Sequence, residues 1–209
     1  MGLIPCLIAG CGPGVPELIT PQVSHAVTKA ELIAGTPRLL NLFPSSPAHR
    51  IPYSHGLQNF IRDLTPHIGK KNIVILVSGD PGIASLAETI AKQFPKHPIK
   101  RLPGISSVQL AFAKIGINWM DAIIIRGHGS LPSWNPAWEI HSGPFAFLAG
   151  EPFIPILASR LAQRLNRSYL WRCERLGMKN ESISRLTPAM LESEGCDGLS
   201  IIIIEEAKI

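Results

Sequence analysis

Short apolar runs alternate with helical patterns through the first half of the chain. LIPCLIAG (3–10), ELIAG (31–35) and NIVILV (72–77) are typical of strands, and the last run suits a sheet buried on both faces. The segments between them place apolar residues at helical spacing. Thr20–Pro21 and Thr36–Pro37 mark helix starts, because threonine caps a helix and proline fits its first position. The alternation predicts parallel strands joined by crossover helices.

The pattern restarts near Gly116. Further strands are predicted at residues 121–129, 144–150, 168–177 and 198–206, with a helix at 155–165. The sequence therefore predicts an α/β fold of two domains. An N-terminal domain at 1–116 has a mostly parallel sheet with crossover helices, and a smaller C-terminal α/β domain occupies 117–209. The proline- and tryptophan-rich segment 130–143 is predicted to be a surface loop.

Charge and cysteine usage narrow the functional classes. The net charge of +5 favours an acidic ligand, but the basic residues are scattered, so we expect no nucleic acid. No apolar run approaches the roughly 18 residues of a membrane span, and no basic residue precedes Lys29 as a signal peptide requires. The cysteines lack C-x-x-C spacing and the histidines lack H-x-x-x-H spacing. We therefore expect a cytoplasmic protein with free thiols, no metal site and no membrane segment.

Three glycine-bearing turns each follow a predicted strand. They are GCGPG (10–14), SGDPG (78–82) and PGISS (103–107). Loops that follow the strands of an open parallel sheet gather at one edge, where ligands bind. Each turn also has a purely structural interpretation, as a tight turn or through helix caps by Asp80, Ser106 or Ser107. Together they predict a pocket of backbone amides and small side chains.

The same loops argue against two common nucleotide sites. GCGPG misses the third glycine of the dinucleotide pattern because Val15 stands there, and Pro13 removes an amide donor. Glu31 precedes the second strand, although a nicotinamide site needs an acid after it. The Gly69–Lys70 pair lacks the rest of a P-loop. Without a recognisable catalytic triad or carboxylate pair, the chain suits a reaction whose difficult step belongs to a cofactor.

In order and spacing, these segments resemble the tetrapyrrole methylase family. The likeness rests on GCGPG, TPQVSHAVTKAELIAG, VSGDPGIASLA, PGISSVQLAFAKIG and WMDAIIIRGHG. It implies S-adenosyl-L-methionine as cofactor, a two-domain α/β fold with the site in the cleft between the domains, and a homodimer. The stretch PGISSVQLAFAKIGINWMDA, followed by His128, is similar to members that methylate carbon 5 of cobalt-precorrin-7 or precorrin-6Y in cobalamin biosynthesis. The implied activity is therefore C-methylation of a tetrapyrrole.

The resemblance also implies a set of site residues. Those expected at the cofactor are Gly79, Asp80, Ile83, Ala84, Ser106 and Ser107. Those expected at the substrate are Gly12, Pro13, Gly14, Arg126 and His128. Asp80 is the candidate catalytic residue. The net charge of +5 suits a substrate that carries many carboxylates, and arginine pairs well with them.

The chain departs from the family pattern in two places. It has Gly-Ile-Ala at 82–84 where the family carries bulkier residues, and Ser130 where the family has arginine. The methylated carbon therefore stays open, and so does an RNA or diphthine-precursor substrate within the family. Alternatives outside the family's chemistry are a nicotinamide-dependent oxidoreductase and a non-catalytic cofactor sensor. The length leaves no room for a decarboxylating carbon-15 domain, so we expect a separate partner enzyme for that step.

Overall fold

The computed structural model describes residues 2–83, 86–127 and 132–205. It divides into two compact units, 1–106 and 107–209. The sequence analysis places this division later, at 116/117. The helix at 107–115 belongs to the second unit because its buried side chains pack with strands of the second sheet. By these bounds the second unit is slightly shorter than the first. The expected site between two domains stays a prediction.

The first unit is a parallel sheet with crossover helices, as predicted. Its elements are β1 (Cys6–Gly10), α1 (Pro21–Thr28), β2 (Leu32–Gly35), α2 (Pro37–Leu40), β3 (His49–Pro52), α3 (Gly56–Leu64), β4 (Ile73–Val77), α4 (Ala87–Gln93) and β5 (Ile99–Leu102), with a short 3-10 helix at Pro16–Leu18. The strand order is β3-β2-β4-β1-β5, and every pair is parallel. β1 therefore lies between β4 and β5.

Both faces of this sheet are covered by helices. Ile8 of β1 packs with α3 and α4, whereas its neighbour Ala9 packs with α1 and α2. All five residues of β4 are buried, which explains its uninterrupted run of Ile, Val and Leu. The connections β1–α1–β2 and β4–α4–β5 run in opposite directions along the sheet. Their starting points, the carboxyl ends of β1 and β4, mark the edge where open α/β sheets bind ligands.

In the first unit, one predicted helix cap is wrong and one strand was not predicted. Thr20 caps α1 by accepting the Val23 amide at 3.4 Å, but Thr36 makes no such bond at α2. β3 was not predicted, because His49–Pro52 is short, lies at the sheet edge and buries only Ile51. An edge strand with one buried side chain has almost no apolar periodicity to recognise.

The second unit has a different sheet. Its elements are α5 (Ser107–Ile115), β6 (Ile123–Arg126), β7 (Phe145–Ala149), α6 (Phe153–Arg164), β8 (Leu170–Glu174), β9 (Ser182–Leu186), α7 (Pro188–Glu194) and β10 (Ser200–Ile204), with a 3-10 helix at Pro136–Ile140. The order is β6-β7-β10-β8-β9, and only β6 and β7 pair in parallel. β9, another edge strand, was not predicted either. α6 covers one face and α5 the other.

The tryptophan-rich segment after β6 is firmly attached where it is described. Trp138 is buried in the core beneath α6. The Trp134 indole donates to Glu139 at 2.8 Å, and the Arg164 guanidinium lies 4.9 Å above the Trp134 ring. Glu139 also pairs with Arg164 at 2.9 Å. The predicted surface loop is therefore anchored to α6 by stacking and charge.

Candidate functional site

The three glycine-bearing loops come together as predicted. They follow β1, β4 and β5, which are neighbours in the sheet and end at the same edge because they run in parallel. Gly10 ends β1, Val77 ends β4 and Leu102 ends β5. The carboxyl ends of these strands thus place all three loops side by side within the first unit.

The loops meet through backbone atoms. A Cβ atom on Gly10 would lie 2.5 Å from the Gly79 carbonyl oxygen and 2.8 Å from the Gly104 nitrogen. A Cβ on Gly104 would overlap the carbonyl oxygens of Gly10 and Gly79. No residue with a Cβ atom fits at position 10 or 104 without displacing main chain. We call this meeting of Gly10, Gly79 and Gly104 the glycine junction.

Reciprocal hydrogen bonds join the loop after β1 to the loop after β4. The Gly79 amide donates to the Gly12 carbonyl at 2.6 Å, and the Gly12 amide donates to the Gly79 carbonyl at 3.3 Å. Both glycines adopt the left-handed conformation, with φ of 61° and 65°. That conformation is costly for residues with a side chain, so glycine is favoured at both positions. The turns are rigid parts of the sheet edge.

Asp80 ties the loop after β4 to the loop after β5. Its Oδ1 accepts the Gly82 amide at 2.6 Å and its Oδ2 accepts the Gly104 amide at 3.1 Å. The alternative interpretation of Asp80 as the cap of a helix that begins at Pro81 does not hold, because Pro81 and Gly82 form a turn and α4 starts at Ala87. Both carboxylate oxygens hold backbone amides in place. Asp80 therefore organises the loops, and its role as a catalytic residue stays a prediction.

The amides of these loops are used within the loops themselves. Internal acceptors are found for the amides of Cys11, Gly12, Gly14, Gly79, Gly82, Ile83 and Gly104. The amide-lined pocket expected from the sequence is thus closed to ligands at these positions. Phosphate groups bind where several free amides converge, so these seven amides do not serve as donors to a pyrophosphate.

Arg38 is the residue at this edge that sequence reasoning missed. It lies in α2, directly after β2, and its Nη1 donates to the Pro13 carbonyl at 2.9 Å. A Cβ on Gly14 would overlap Nη1, so glycine at 14 makes room for the guanidinium. Arg38 and Pro13 are 25 positions apart in sequence. No local pattern signals the contact.

The remaining predicted cofactor residues lie after β4 or around the boundary between the two units. Ser106 is buried, with 7% of its surface exposed. Ser107 is the first residue of α5. Ile83 follows the Asp80 turn, and its amide donates to the Asp80 carbonyl at 3.1 Å. Ala84 lies outside the described residues, so the structure leaves its predicted role untested.

The predicted substrate residues fall into two groups. Gly12, Pro13 and Gly14 share the loop after β1, beside Arg38. Arg126 belongs to the second unit, where it is the exposed last residue of β6. His128 lies outside the described residues. The structure therefore brings the glycine loop together with Gly79 and Asp80, and it places Arg126 in a separate unit.

The thiols are unsuited to nucleophilic chemistry. Burial raises the pKa of Cys6 and that of Cys11 to about 12. Burial, followed by the charges of Glu181 and Glu174, raises the pKa of Cys173 to about 12. Thiols with such values stay protonated at neutral pH, and only the thiolate attacks or binds metal. Within the described residues no group of three or more His, Cys, Asp or Glu is placed to hold a metal ion.

Among the helices that the structure describes, none is both long and apolar enough to span a membrane.

Comparison with known proteins identifies a family and relatives with the same fold. The family model for tetrapyrrole (corrin/porphyrin) methylases matches residues 5–191. A Methanocaldococcus jannaschii protein named probable cobalt-precorrin-7 C(5)-methyltransferase is 37% identical over 125 residues. That match covers 58% of this chain and 59% of the relative, so the chain matches less than two thirds of the relative's length.

Solved structures share the whole fold. A precorrin-6Y methylase (cbiE) from Archaeoglobus fulgidus gives a TM-score of 0.75 at 23% identity and covers 98% of this chain and 99% of its own. A uroporphyrin-III C-methyl transferase from Thermus thermophilus, complexed with S-adenosyl homocysteine, gives 0.76 at 19% identity and covers 97% and 98%. The TM-scores establish that the fold is shared. The family model spans most of the residues, and the chain therefore belongs to the tetrapyrrole methylase family.

Proposed function

We propose that this protein is an S-adenosyl-L-methionine-dependent C-methyltransferase of cobalamin biosynthesis that methylates carbon 5 of cobalt-precorrin-7 or precorrin-6Y. The position on the ring is supported by the 37% identical Methanocaldococcus jannaschii relative, whose name specifies that carbon. The observation that carries the cofactor is the internal bonding of the loop amides at the glycine junction. It disfavours phosphate-bearing cofactors, including the nicotinamide dinucleotides.

The chain's contribution to such a reaction is orientation. Bound S-adenosyl-L-methionine would supply a sulfonium methyl group for in-line transfer to a ring carbon, with S-adenosylhomocysteine as the leaving group and a proton released from the ring. Rigid loops that fix donor and acceptor relative to each other lower the entropic part of the barrier, by up to about 7–11 kcal/mol in favourable cases. The glycine junction and the Asp80 carboxylate supply that rigidity here.

We assign the cofactor to the surface formed by the loops after β4 and β5. Gly79 and Asp80 shape the edge of this surface, Ile83 offers an apolar side chain to the nucleoside, and Ser106 and Ser107 lie on the methionine side. Ala84, which belongs to the same predicted set, lies outside the described residues. Support comes from the left-handed Gly79 and from the two amides that Asp80 holds.

The tetrapyrrole is assigned to the loop after β1 and to basic residues. Gly12, Pro13 and Gly14 form a tight turn whose only side chain is the proline ring, and the Arg38 guanidinium lies beside it. Arg126 is exposed and free to meet a ring carboxylate, and His128 lies outside the described residues. The net charge of +5 favours a polyanionic substrate over a neutral one.

Two measurements test the proposal in sequence. Calorimetry with S-adenosylhomocysteine is expected to show one binding site per chain, and NADH in the same cell is expected to show none. Mass spectrometry and ¹³C NMR with ¹³C-methyl-labelled cofactor are then expected to place the label on carbon 5 of cobalt-precorrin-7. Absence of S-adenosylhomocysteine binding would overturn every methylase version. A label on another carbon would keep the family activity but replace the position.

We also propose a location, a partner enzyme and an oligomeric state for this protein. We assign the protein to the cytoplasm, a location supported by the free state of all four cysteines. We assign decarboxylation and carbon-15 methylation to a separate enzyme, a proposal supported by the name of the Methanocaldococcus jannaschii relative, which specifies carbon 5 alone. A homodimer follows from the family resemblance, and sedimentation velocity is expected to give twice the mass of 22.7 kDa.

A further inference from the structure

Arg38 combines three features that make it different from the other arginines of the first unit. It lies at the carboxyl edge of the parallel sheet, in the helix that follows β2. It is half-buried, and burial lowers the pKa of its guanidinium, which remains protonated at neutral pH. Within the described residues its only hydrogen bond runs from Nη1 to the Pro13 carbonyl.

Arg50 shows what a purely structural arginine looks like in this unit. Its Nη1 donates to the Leu40 carbonyl at 2.9 Å, and its Nη2 donates to the Phe43 and Pro44 carbonyls at 2.6 and 3.4 Å. Both terminal nitrogens are therefore occupied by backbone carbonyls that close the turn after α2. Arg38 uses one nitrogen in this way, and its Nη2 has no such partner among the described residues.

The charge of Arg38 is also uncompensated. None of the ion pairs among the described residues includes Arg38. A partly desolvated guanidinium gains most from a carboxylate that accepts its free donors, since such charge-assisted bonds are about twice as strong as neutral ones. The Pro13 bond and the absence of a side chain at Gly14 hold the group beside the loop assigned to the substrate.

We propose that Arg38 binds a carboxylate of the tetrapyrrole substrate through the guanidinium face not used by Pro13. This inference rests on the proposed function, because it takes the acetate and propionate groups of a precorrin as the anion. The methionine part of the cofactor also carries a carboxylate, and the experiment separates the two. In this assignment Arg38 is a substrate-binding residue whose contact with Pro13 fixes the guanidinium in position.

The test compares the wild type with Arg38→Gln, Arg38→Lys and the matched control Arg62→Gln. Arg62 is an exposed arginine of α3 that pairs only with its neighbour Asp63. For each protein we would measure KM and kcat with cobalt-precorrin-7, Kd for S-adenosylhomocysteine by calorimetry, and the thermal midpoint. Arg38→Lys keeps the charge and a donor for Pro13, so it serves if Arg38→Gln folds poorly.

The expected result is a KM for the tetrapyrrole raised about 10- to 100-fold in Arg38→Gln, as for loss of a hydrogen bond between charged groups. Arg38→Lys should lie between this variant and the wild type, with Arg62→Gln unchanged. Kd for S-adenosylhomocysteine should stay within about twofold in all four proteins. An unchanged KM in an active Arg38→Gln enzyme would overturn the inference, and an equal rise in Kd for S-adenosylhomocysteine would assign Arg38 to the cofactor instead. A wild type that binds S-adenosylhomocysteine but methylates no tetrapyrrole would remove the proposed function, and the inference with it.

Discussion

The two units distribute their charges differently. Among the described residues, every ion pair except Arg62–Asp63 lies in the second unit. There Arg172 pairs with Glu174 and Glu194, and Arg175 pairs with Asp197. The first unit is instead held at its functional edge by glycine backbone and by Asp80. Its half-buried Arg38 has no acidic partner in the part of the chain that the structure describes.

This difference separates charges that stabilise from charges that recognise. The charge of a buried ion pair in the second unit is already compensated before any ligand arrives, and removing one partner leaves an uncompensated charge. An arginine without an acidic partner adds little to the fold and retains its binding capacity for an anion. Substitutions in the two units should therefore separate stability from substrate affinity, and the following four variants are ordered by expected effect on stability.

Gly104→Ala should have the largest effect. Its Cβ would overlap two backbone carbonyl oxygens, which cannot rotate away as a side chain can. We expect the free energy of unfolding to fall by about 3 kcal/mol or more, at the top of the range for overpacked positions. S-adenosylhomocysteine binding should be lost as well.

All four tryptophans, Trp119, Trp134, Trp138 and Trp171, belong to the second unit, so their fluorescence reports that unit alone. Urea unfolding of Gly104→Ala, followed by far-UV circular dichroism, should show a first transition that precedes the fluorescence transition. The control is Gly198→Ala, where a Cβ meets nothing within 4 Å. Equal behaviour of the two variants would contradict the packing at the glycine junction.

Arg172→Met tests the opposite unit. It removes a guanidinium that lies 3.0 Å from Glu194 and 3.4 Å from Glu174, whose side chain is only 11% exposed. We expect a loss of about 2 kcal/mol, between the values for surface and fully buried pairs. The fluorescence transition should move, and the affinity for S-adenosylhomocysteine should not. The exposed Arg160→Met is the control, and a loss of cofactor affinity in Arg172→Met alone would break the contrast between the units.

Asp80→Asn distinguishes an organising carboxylate from a catalytic base. Asparagine replaces one of two acceptors with a donor that faces a backbone N–H, which should cost about 1 kcal/mol and weaken cofactor binding. A general base typically contributes 10²- to 10⁴-fold to the rate. If kcat falls by that factor while stability and cofactor affinity hold, Asp80 is catalytic after all. The exposed Asp63→Asn is the matched control.

Glu181→Gln should give the smallest change, and one that depends on pH. The Gly177 amide and Lys114 hold the pKa of Glu181 below its ordinary value of 4.5. Because the folded value is the lower one, the carboxylate stabilises the fold above pH 4.5, and this contribution is lost as the pH falls through the folded pKa. We expect a deficit of about 0.5 kcal/mol at pH 7 that shrinks below pH 4 in urea titrations. A deficit that persists in acid would exclude ionisation as its source.

The sequence predicts well what its local patterns encode. Apolar strand runs precede GCGPG and SGDPG, because β1 and β4 are buried within the sheet. The strand before PGISS, β5, is an edge strand in which Lys100 and Arg101 are exposed, so this loop was identified from its own proline and glycine. The edge strands β3 and β9 were not predicted, because each has one face or edge exposed to water and little periodicity of apolar residues. Arg38 escaped because its contact with Pro13 spans 25 residues and depends on strand order. The carboxylate of Asp80 was recognised, but its bond to Gly104 is equally non-local.

The glycine junction has a practical consequence for enzyme engineering. Mutant libraries that aim at another ring position or a larger macrocycle gain nothing from varying Gly10 or Gly104, since every substitution there displaces main chain. Diversity belongs instead at the side chains around the junction, with Arg38 and Ile83 as the first pair to randomise. Because the glycine junction consists of backbone contacts, changes in specificity have to come from the side chains around it.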